Sequence, residues 1–141
     1  LGNPTMFGMM RSPAESYAKV GVEAAVESSD PHRLILMLFD GAITAVSLAR
    51  IHMKSGDIAQ KGMATSKAID LIANGLLASL DMSAGGDLAE RLAALYEYMT
   101  QRLLFANLKN NVAALDEVGE LLASLREAWA EIAPGKQQAA A

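Results

Sequence analysis

The sequence predicts an all-α chain: an antiparallel up-and-down four-helix bundle with a flexible N-terminal arm that has room for one short helix. Two observations carry this. Apolar residues make up 52% of the 141 residues but aromatics only 5%, so the core is built from Leu, Ile, Val, Met and Ala, which suits packed helices better than sheets. Four long stretches then repeat their apolar residues every three or four positions, separated by short breaks rich in Asp, Asn and Gly. The expected organisation is an arm over 1–29, a bundle over 30–133 and a frayed tail over 134–141, within the size of one domain.

The arm contains Gly2, Pro4, Gly8 and Pro13, with Met6, Phe7, Met9 and Met10 among them, and shows no helical period. Tyr17, Val20, Val22 and Val26 follow, fit to lie along the bundle as short helix or extended chain. The bundle begins at Asp30-Pro31. An Asp before a helix accepts a free N–H of the first turn, and Pro suits the first helical position because its missing N–H has no partner there.

The first helix is expected from Pro31 to Lys54. Leu34, Leu38, Gly41, Ala45 and Leu48 form one stripe, and Ile35, Ala42, Val46 and Ala49 the next. Lys54 complements the helix dipole and Gly56 is a natural stop. The second helix is expected from Ile58 to Leu80, capped by Asp57, with Ile69, Ile72, Leu76 and Leu80 stepping by three and four. Gly62 and Gly75 weaken it by about 1 kcal/mol each relative to Ala. Asp81 to Gly86 reads as a turn. Asp87 then caps the third helix with Glu90 three residues on, the capping-box spacing. Its core stripe is Leu88, Leu92, Leu95, Met99, Leu103 and Ala106, flanked by Tyr96, Leu104 and Leu108, and it ends near Lys109. After Asn110-Asn111, the fourth helix runs from Val112 to Ile132 on Leu115, Val118, Leu122, Leu125, Trp129 and Ile132, and Pro134-Gly135 stops it.

The net charge of -4, with the basic residues scattered, argues against a nucleic-acid partner. Cysteine is absent, which rules out disulfides and thiolate metal sites within the chain and is compatible with the cytosol. No membrane insertion is expected: the apolar run Leu34 to Phe39 is short and Asp40 follows it. The N-terminal stretch lacks the basic-then-apolar order of a secretory signal. The mean hydropathy of +0.20 reads first as an Ala- and Leu-rich bundle, and second as apolar surface kept for a partner.

Little in the chain points to catalysis. His32 and His52 fall at opposite ends of the first helix, too far apart to share a metal, and both read as surface histidines. No HExxH and no Glu-x-x-His occurs. The Asp81–Asp87 segment lacks the ligands of a calcium loop and the pattern of a P-loop. No cofactor is expected. One alternative is a histidine phosphotransfer bundle using His52, although Gly56 ends the helix where that role needs a mid-helix setting. Others are a helical adaptor for a different client and a purely structural oligomer.

The order of several short pieces resembles the FliS family of flagellar secretion chaperones. The pieces are Tyr17 before a Val-rich arm, Leu34-Ile35-x-Met37-Leu38-Phe39-Asp40-Gly41-Ala42-Ile43, Leu80-Asp81 and Gly85-Gly86-x-Leu88. Leu95-Tyr96-x-Tyr98-Met99, Leu103-x-x-Ala106-Asn107 and Leu125-Arg126-x-x-Trp129 complete the order. Phe39 stands where the family usually has Tyr, Asp30 where a small residue is common, and Asn111 where Asp is common.

The resemblance implies a non-enzymatic chaperone of the bacterial cytosol, monomeric or a weak homodimer. It would bind the disordered C-terminal segment of flagellin, prevent premature polymerisation and keep the subunit fit for the type III export gate. Contacts with other flagellar regulators and export components are also implied. A client that folds as it binds needs a broad apolar groove, and adaptable Met side chains suit one. The second helix carries more apolar positions than one core stripe needs, so Met63, Ile69, Ile72 and Leu76 are the expected groove residues. By resemblance, Tyr17, Val20 and Val22 of the arm shield that groove until the client displaces them.

Overall fold

The computed structural model describes residues 30–132. Within them lie four helices: α1 (Pro31–Ser55), α2 (Ile58–Asp70, continuing as a π-helix over Leu71–Leu77), α3 (Met82–Lys109) and α4 (Val112–Glu131). The arm with Tyr17, Val20 and Val22, and the tail with Pro134 and Gly135, fall outside the described residues. Each helix packs on the next, and α1 also packs on α4. The result is the expected all-α antiparallel bundle, closed into a ring around one core.

The helix ends follow local chemistry. The Arg33 N–H donates to Asp30 Oδ1 at 3.1 Å, the Gln60 N–H to Asp57 Oδ1 at 3.1 Å, and the Ala114 N–H to Asn111 Oδ1 at 2.9 Å. Gly56 takes the left-handed conformation (φ 80°) that ends α1, and Asn110 does the same (φ 53°) for α3.

The start of α3 departs from expectation. Asp81, not Asp87, is the cap: its Oδ1 accepts from the Ser83 and Ala84 N–H groups at 3.2 and 3.0 Å. The Ser83 hydroxyl also donates to it. These bonds hold the Asp81 carboxyl below the usual carboxylate range, the Ala84 N–H most of all. One helical turn forms at once, and the chain breaks at Gly86 (φ 55°, ψ -134°) before the long part of α3. Only glycine adopts that backbone readily. Leu88, just past the break, is 49% exposed and does not join the core stripe.

The core centres on Ala42, Ala45, Ala49, Ile72, Leu76, Met99, Leu103, Leu115, Val118 and Leu122, all buried. Small Ala residues along α1 let its neighbours approach closely. Gly41 extends that: a Cβ there would meet Leu71 Cδ1 at 3.2 Å. Leu48, expected on the buried stripe, is 43% exposed, because it lies past the edge of the face that carries Ala42, Ala45 and Ala49.

The π-helix was not expected. Its wider turn buries the pairs Leu71–Ile72 and Gly75–Leu76 together, a broader inward face than an α-turn presents. Asn74 Nδ2 donates to Asp70 Oδ1 at 2.6 Å, and the Ser79 hydroxyl to the Gly75 carbonyl at 2.6 Å, bracketing the segment.

α1 also corrects an expectation. By length and composition it is apolar enough to cross a membrane, with a window of mean hydropathy 1.8. Here that hydropathy serves packing: the face of Ile35, Leu38, Ala42, Ala45 and Ala49 is core. Its charged residues Asp40 and Arg50 pair with Arg126 and Asp116 of α4 at 2.9 and 2.7 Å.

Candidate interaction surface

Two polar side chains, one of them expected from the sequence to be a surface histidine, prove to be fastenings. His32 is buried rather than on the surface. Its ring stacks on Trp129 (centroids 5.3 Å apart, planes 16° apart), and its Nε2–H donates to the Trp129 carbonyl at 2.8 Å. Trp129 Nε1–H returns a bond to the His32 carbonyl at 2.9 Å. At the opposite pole Lys61 is also buried. Its ammonium donates to the Asn107 carbonyl at 3.0 Å and to Asn110 Oδ1 at 2.7 Å, where the dipole of α3 leaves negative charge. Thr65, one turn on, donates to the Lys61 carbonyl at 2.8 Å.

Lys61 draws α2 onto the last turns of α3, and a cleft of about 700 Å³ opens over that seam. It is lined by Ile58, Ala59, Gly62, Met63, Ser66, Lys67, Asp70 and Asn107. Two of its lining residues, Ile58 and Met63, are large, apolar and exposed, and α3 carries two more exposed leucines near its end. Ile58 is 76% exposed, Met63 66%, Leu104 59% and Leu108 76%. Leu104 and Leu108, four residues apart, share a face of α3, and Asn107 of the same helix lines the cleft. Leu48 and Ile51 add exposed apolar surface on α1, the other neighbour of α2. Gly62 keeps the cleft floor open; no atom lies within 4 Å of where its Cβ would stand.

The expected groove residues divide. Met63 stands exposed in the cleft, and Ile69 is half-buried against the core. Ile72 (0% exposed) and Leu76 (2%) are core side chains of the π-helix. They shared their stripe with the core, and the bundle takes them for itself; they do not line an open groove. Ile58, Leu104 and Leu108 were not singled out as groove residues. Their signal was available, since each is a large apolar residue beside a helix end or off the main stripe.

A smaller cleft of about 340 Å³ lies between α1 and α4, over Ile43, Val46, Leu115 and Gly119, and is bordered by the Arg50–Asp116 pair. On the α3–α4 seam, the Tyr98 hydroxyl donates to Glu117 Oε2, and Arg102 Nε donates to Glu117 Oε1 at 2.9 Å while its guanidinium lies over Phe105. The Tyr98 bond, then that of Arg102, holds the Glu117 carboxyl below its usual range, and the same carboxylate raises the Tyr98 phenol.

His52 sits in the last turn of α1, half-buried, a setting that adds nothing to the phosphotransfer reading. Among the described residues no three His, Asp or Glu side chains converge as a metal site would require.

The sequence model of the family described as flagellar protein FliS matches residues 13–136. The chain belongs to the FliS family. The flagellar secretion chaperone FliS of Salmonella typhimurium is 51% identical over 123 residues, 87% of this chain and 91% of the relative. That of Escherichia coli is 44% identical over 117 residues, 83% and 86% of the two chains. The FliS of Bacillus subtilis retains 30% identity over 105 residues, 74% and 77%. In this FliS-family chain, the apolar cleft therefore belongs to a bundle whose relatives are named as secretion chaperones.

Proposed function

We propose that this chain is a flagellar export chaperone, and that the α2–α3 cleft receives the C-terminal segment of flagellin. Family membership supports the chaperone role. The observation that carries the site is one open cleft lined by the exposed Ile58 and Met63, with two further exposed leucines, Leu104 and Leu108, on α3. Such a surface fits an apolar helix face laid in a groove, read by anchors at helical spacing. Ile69 extends it toward the core. The work is binding and not catalysis, in the bacterial cytosol, by a monomer or a weak homodimer. Holding the client's C-terminal segment would keep subunits from polymerising before they reach the export gate.

Calorimetric titration of the full chain with the C-terminal segment of the cognate flagellin tests this. The expected result is 1:1 binding with a strongly negative heat-capacity change and a gain of helix signal. No heat and no gain of helix, with both partners intact, would overturn it.

The arm is part of the same proposal. Tyr17, Val20 and Val22 cover apolar surface of the groove in the free chain and yield to the client. Deleting residues 1–22 should change client affinity or self-association; a truncated chain unchanged in both would remove the arm from the mechanism.

A further inference from the structure

We infer that Ala59, Gly62, Met63 and Ser66 of α2 form an open socket in the floor of the α2–α3 cleft, and that one large apolar side chain of the client helix seats in it, over Gly62. The inference rests on the reading that this cleft holds the client. All four residues line the cleft. They follow the spacing i, i+3, i+4, i+7, the set of four neighbours that receives one side chain when two helices pack knobs-into-holes. Ala59, Gly62 and Ser66 are small, and none of the four is buried by the bundle.

Gly62 is the centre of the socket and the residue least accounted for by the bundle. A glycine inside a helix is less favourable than an alanine. Gly56 and Gly86 take backbone conformations of positive φ. A Cβ on Gly41 would press on Leu71 Cδ1 at 3.2 Å. Gly62 lies inside α2 without a positive φ, and a Cβ there would meet nothing within 4 Å. Neither the backbone nor the packing of the bundle asks for glycine at this position. The missing side chain instead leaves room at the cleft floor for a group that comes from outside.

The chemistry around the socket narrows what enters it. Ile58 stands one turn before Gly62 and Met63 directly after it, both exposed in the cleft. These two supply apolar walls, and the unbranched Met63 can fit its shape to the inserted group. A polar or charged group seated there would lose water against Ile58 and Met63. Three small residues leave space for a branched or aromatic side chain. The group that fits is therefore the Leu, Ile, Met or Phe anchor of an amphipathic helix lying along α2.

The test titrates the full chain with the C-terminal segment of the cognate flagellin by calorimetry, with thermal midpoints measured on every variant. Gly62→Ala and Gly62→Leu fill the socket from within. Both should leave the midpoint at or above that of the parent, because each replaces an interior helical glycine that faces open space. Both should weaken binding, Gly62→Ala by about threefold or more and Gly62→Leu by about tenfold or more. An alanine scan of the segment's large apolar residues should find one whose truncation makes the parent and Gly62→Ala bind alike. Ile58→Glu, in the cleft but outside the socket, tests the groove itself. If Ile58→Glu loses the client and both Gly62 variants bind like the parent, the groove stands and the socket falls. A lowered midpoint in both Gly62 variants also overturns the socket, since the glycine would then serve the bundle. A scan in which no client residue couples to Gly62 does the same. If Ile58→Glu binds like the parent, the groove reading fails, and the socket with it.

Discussion

His32 and Trp129 exchange hydrogen bonds through each other's backbone: the ring N–H of each donates to the carbonyl of the other, while the two rings stack. They are 97 residues apart in sequence. The pair joins the first turn of α1 to the last turn of α4 and gives each buried ring N–H a partner. His32→Phe keeps the stacking and leaves the Trp129 carbonyl without its donor; the expected cost is about 1–2 kcal/mol. Trp129→Ala adds the loss of a large buried ring and should cost about 3–5 kcal/mol. Urea unfolding followed by circular dichroism measures both, and equal costs for the two variants would contradict the division of labour.

The Lys61 fastening makes a separate prediction. Lys61→Met retains the apolar stem and removes the ammonium from the Asn107 carbonyl and Asn110 Oδ1. Loss of a charge-assisted bond at a helix end should cost about 1.5–3 kcal/mol. Hydrogen exchange should speed up in the last turn of α3, whereas protection around Leu115 and Val118 should follow only the change in global stability.

The α3 start can be tested by comparing two aspartates. Asp81→Ala removes a cap and should lower the unfolding midpoint measurably, whereas Asp87→Ala should leave it close to that of the parent. Because the folded-state pKa of Asp81 is lowered, its contribution is present above the ordinary carboxyl range and is lost as pH falls through the lowered pKa. The Asp81→Ala penalty should therefore shrink in acid. Gly86→Ala, at φ 55° and ψ -134°, should cost about 1–3 kcal/mol through backbone strain.

Tyr96 sets an alkaline limit. Burial pushes its phenol up to about 12 from the ordinary 10, so the unfolded chain ionises first. Its contribution is complete below pH 10 and is lost as pH rises toward 12, amounting to about 2–3 kcal/mol. Tyr96→Phe should flatten this part of the stability–pH curve, and the phenolate absorbance of the parent should lag behind that of the unfolded chain.

The parts of this fold legible in the sequence are those whose causes are local. Asp30, Asp57 and Asn111 each stand directly before an apolar run, and each caps the helix that follows. Asp87 misled because it carries the right spacing to Glu90, but Asp81 with Ser83 and Ala84 begins a helix one turn earlier and Gly86 absorbs the break. The fastenings were hidden for a different reason. His32 beside a helix start looks exposed until Trp129 arrives from the other end of the chain, and Lys61 looks like surface until the end of α3 lies against it.

The proposed groove shares its sequence signal with the core. Met63, Ile69, Ile72 and Leu76 all extend the apolar surface of one helix, and nothing local separates core from cleft. The π-helix decides it by turning both Ile72 and Leu76 inward. Exposed apolar residues are instead Ile58 and Met63 on α2 and Leu104 and Leu108 on α3, the two helices that Lys61 ties together.

The backbone connects α2 to α3 at one pole, and α1 to α2 and α3 to α4 at the other. Side chains supply links that the backbone omits: His32 with Trp129 between α1 and α4 at the first pole, Lys61 between α2 and α3 at the second, and Arg50 with Asp116 between α1 and α4 there. Neighbourhood in this bundle is therefore not dictated by chain order alone. A circularly permuted chain, cut at the Ser79–Leu80 turn and spliced by a short linker from the Trp129 end to the His32 end, would keep all of these contacts and re-form the same ring of helices.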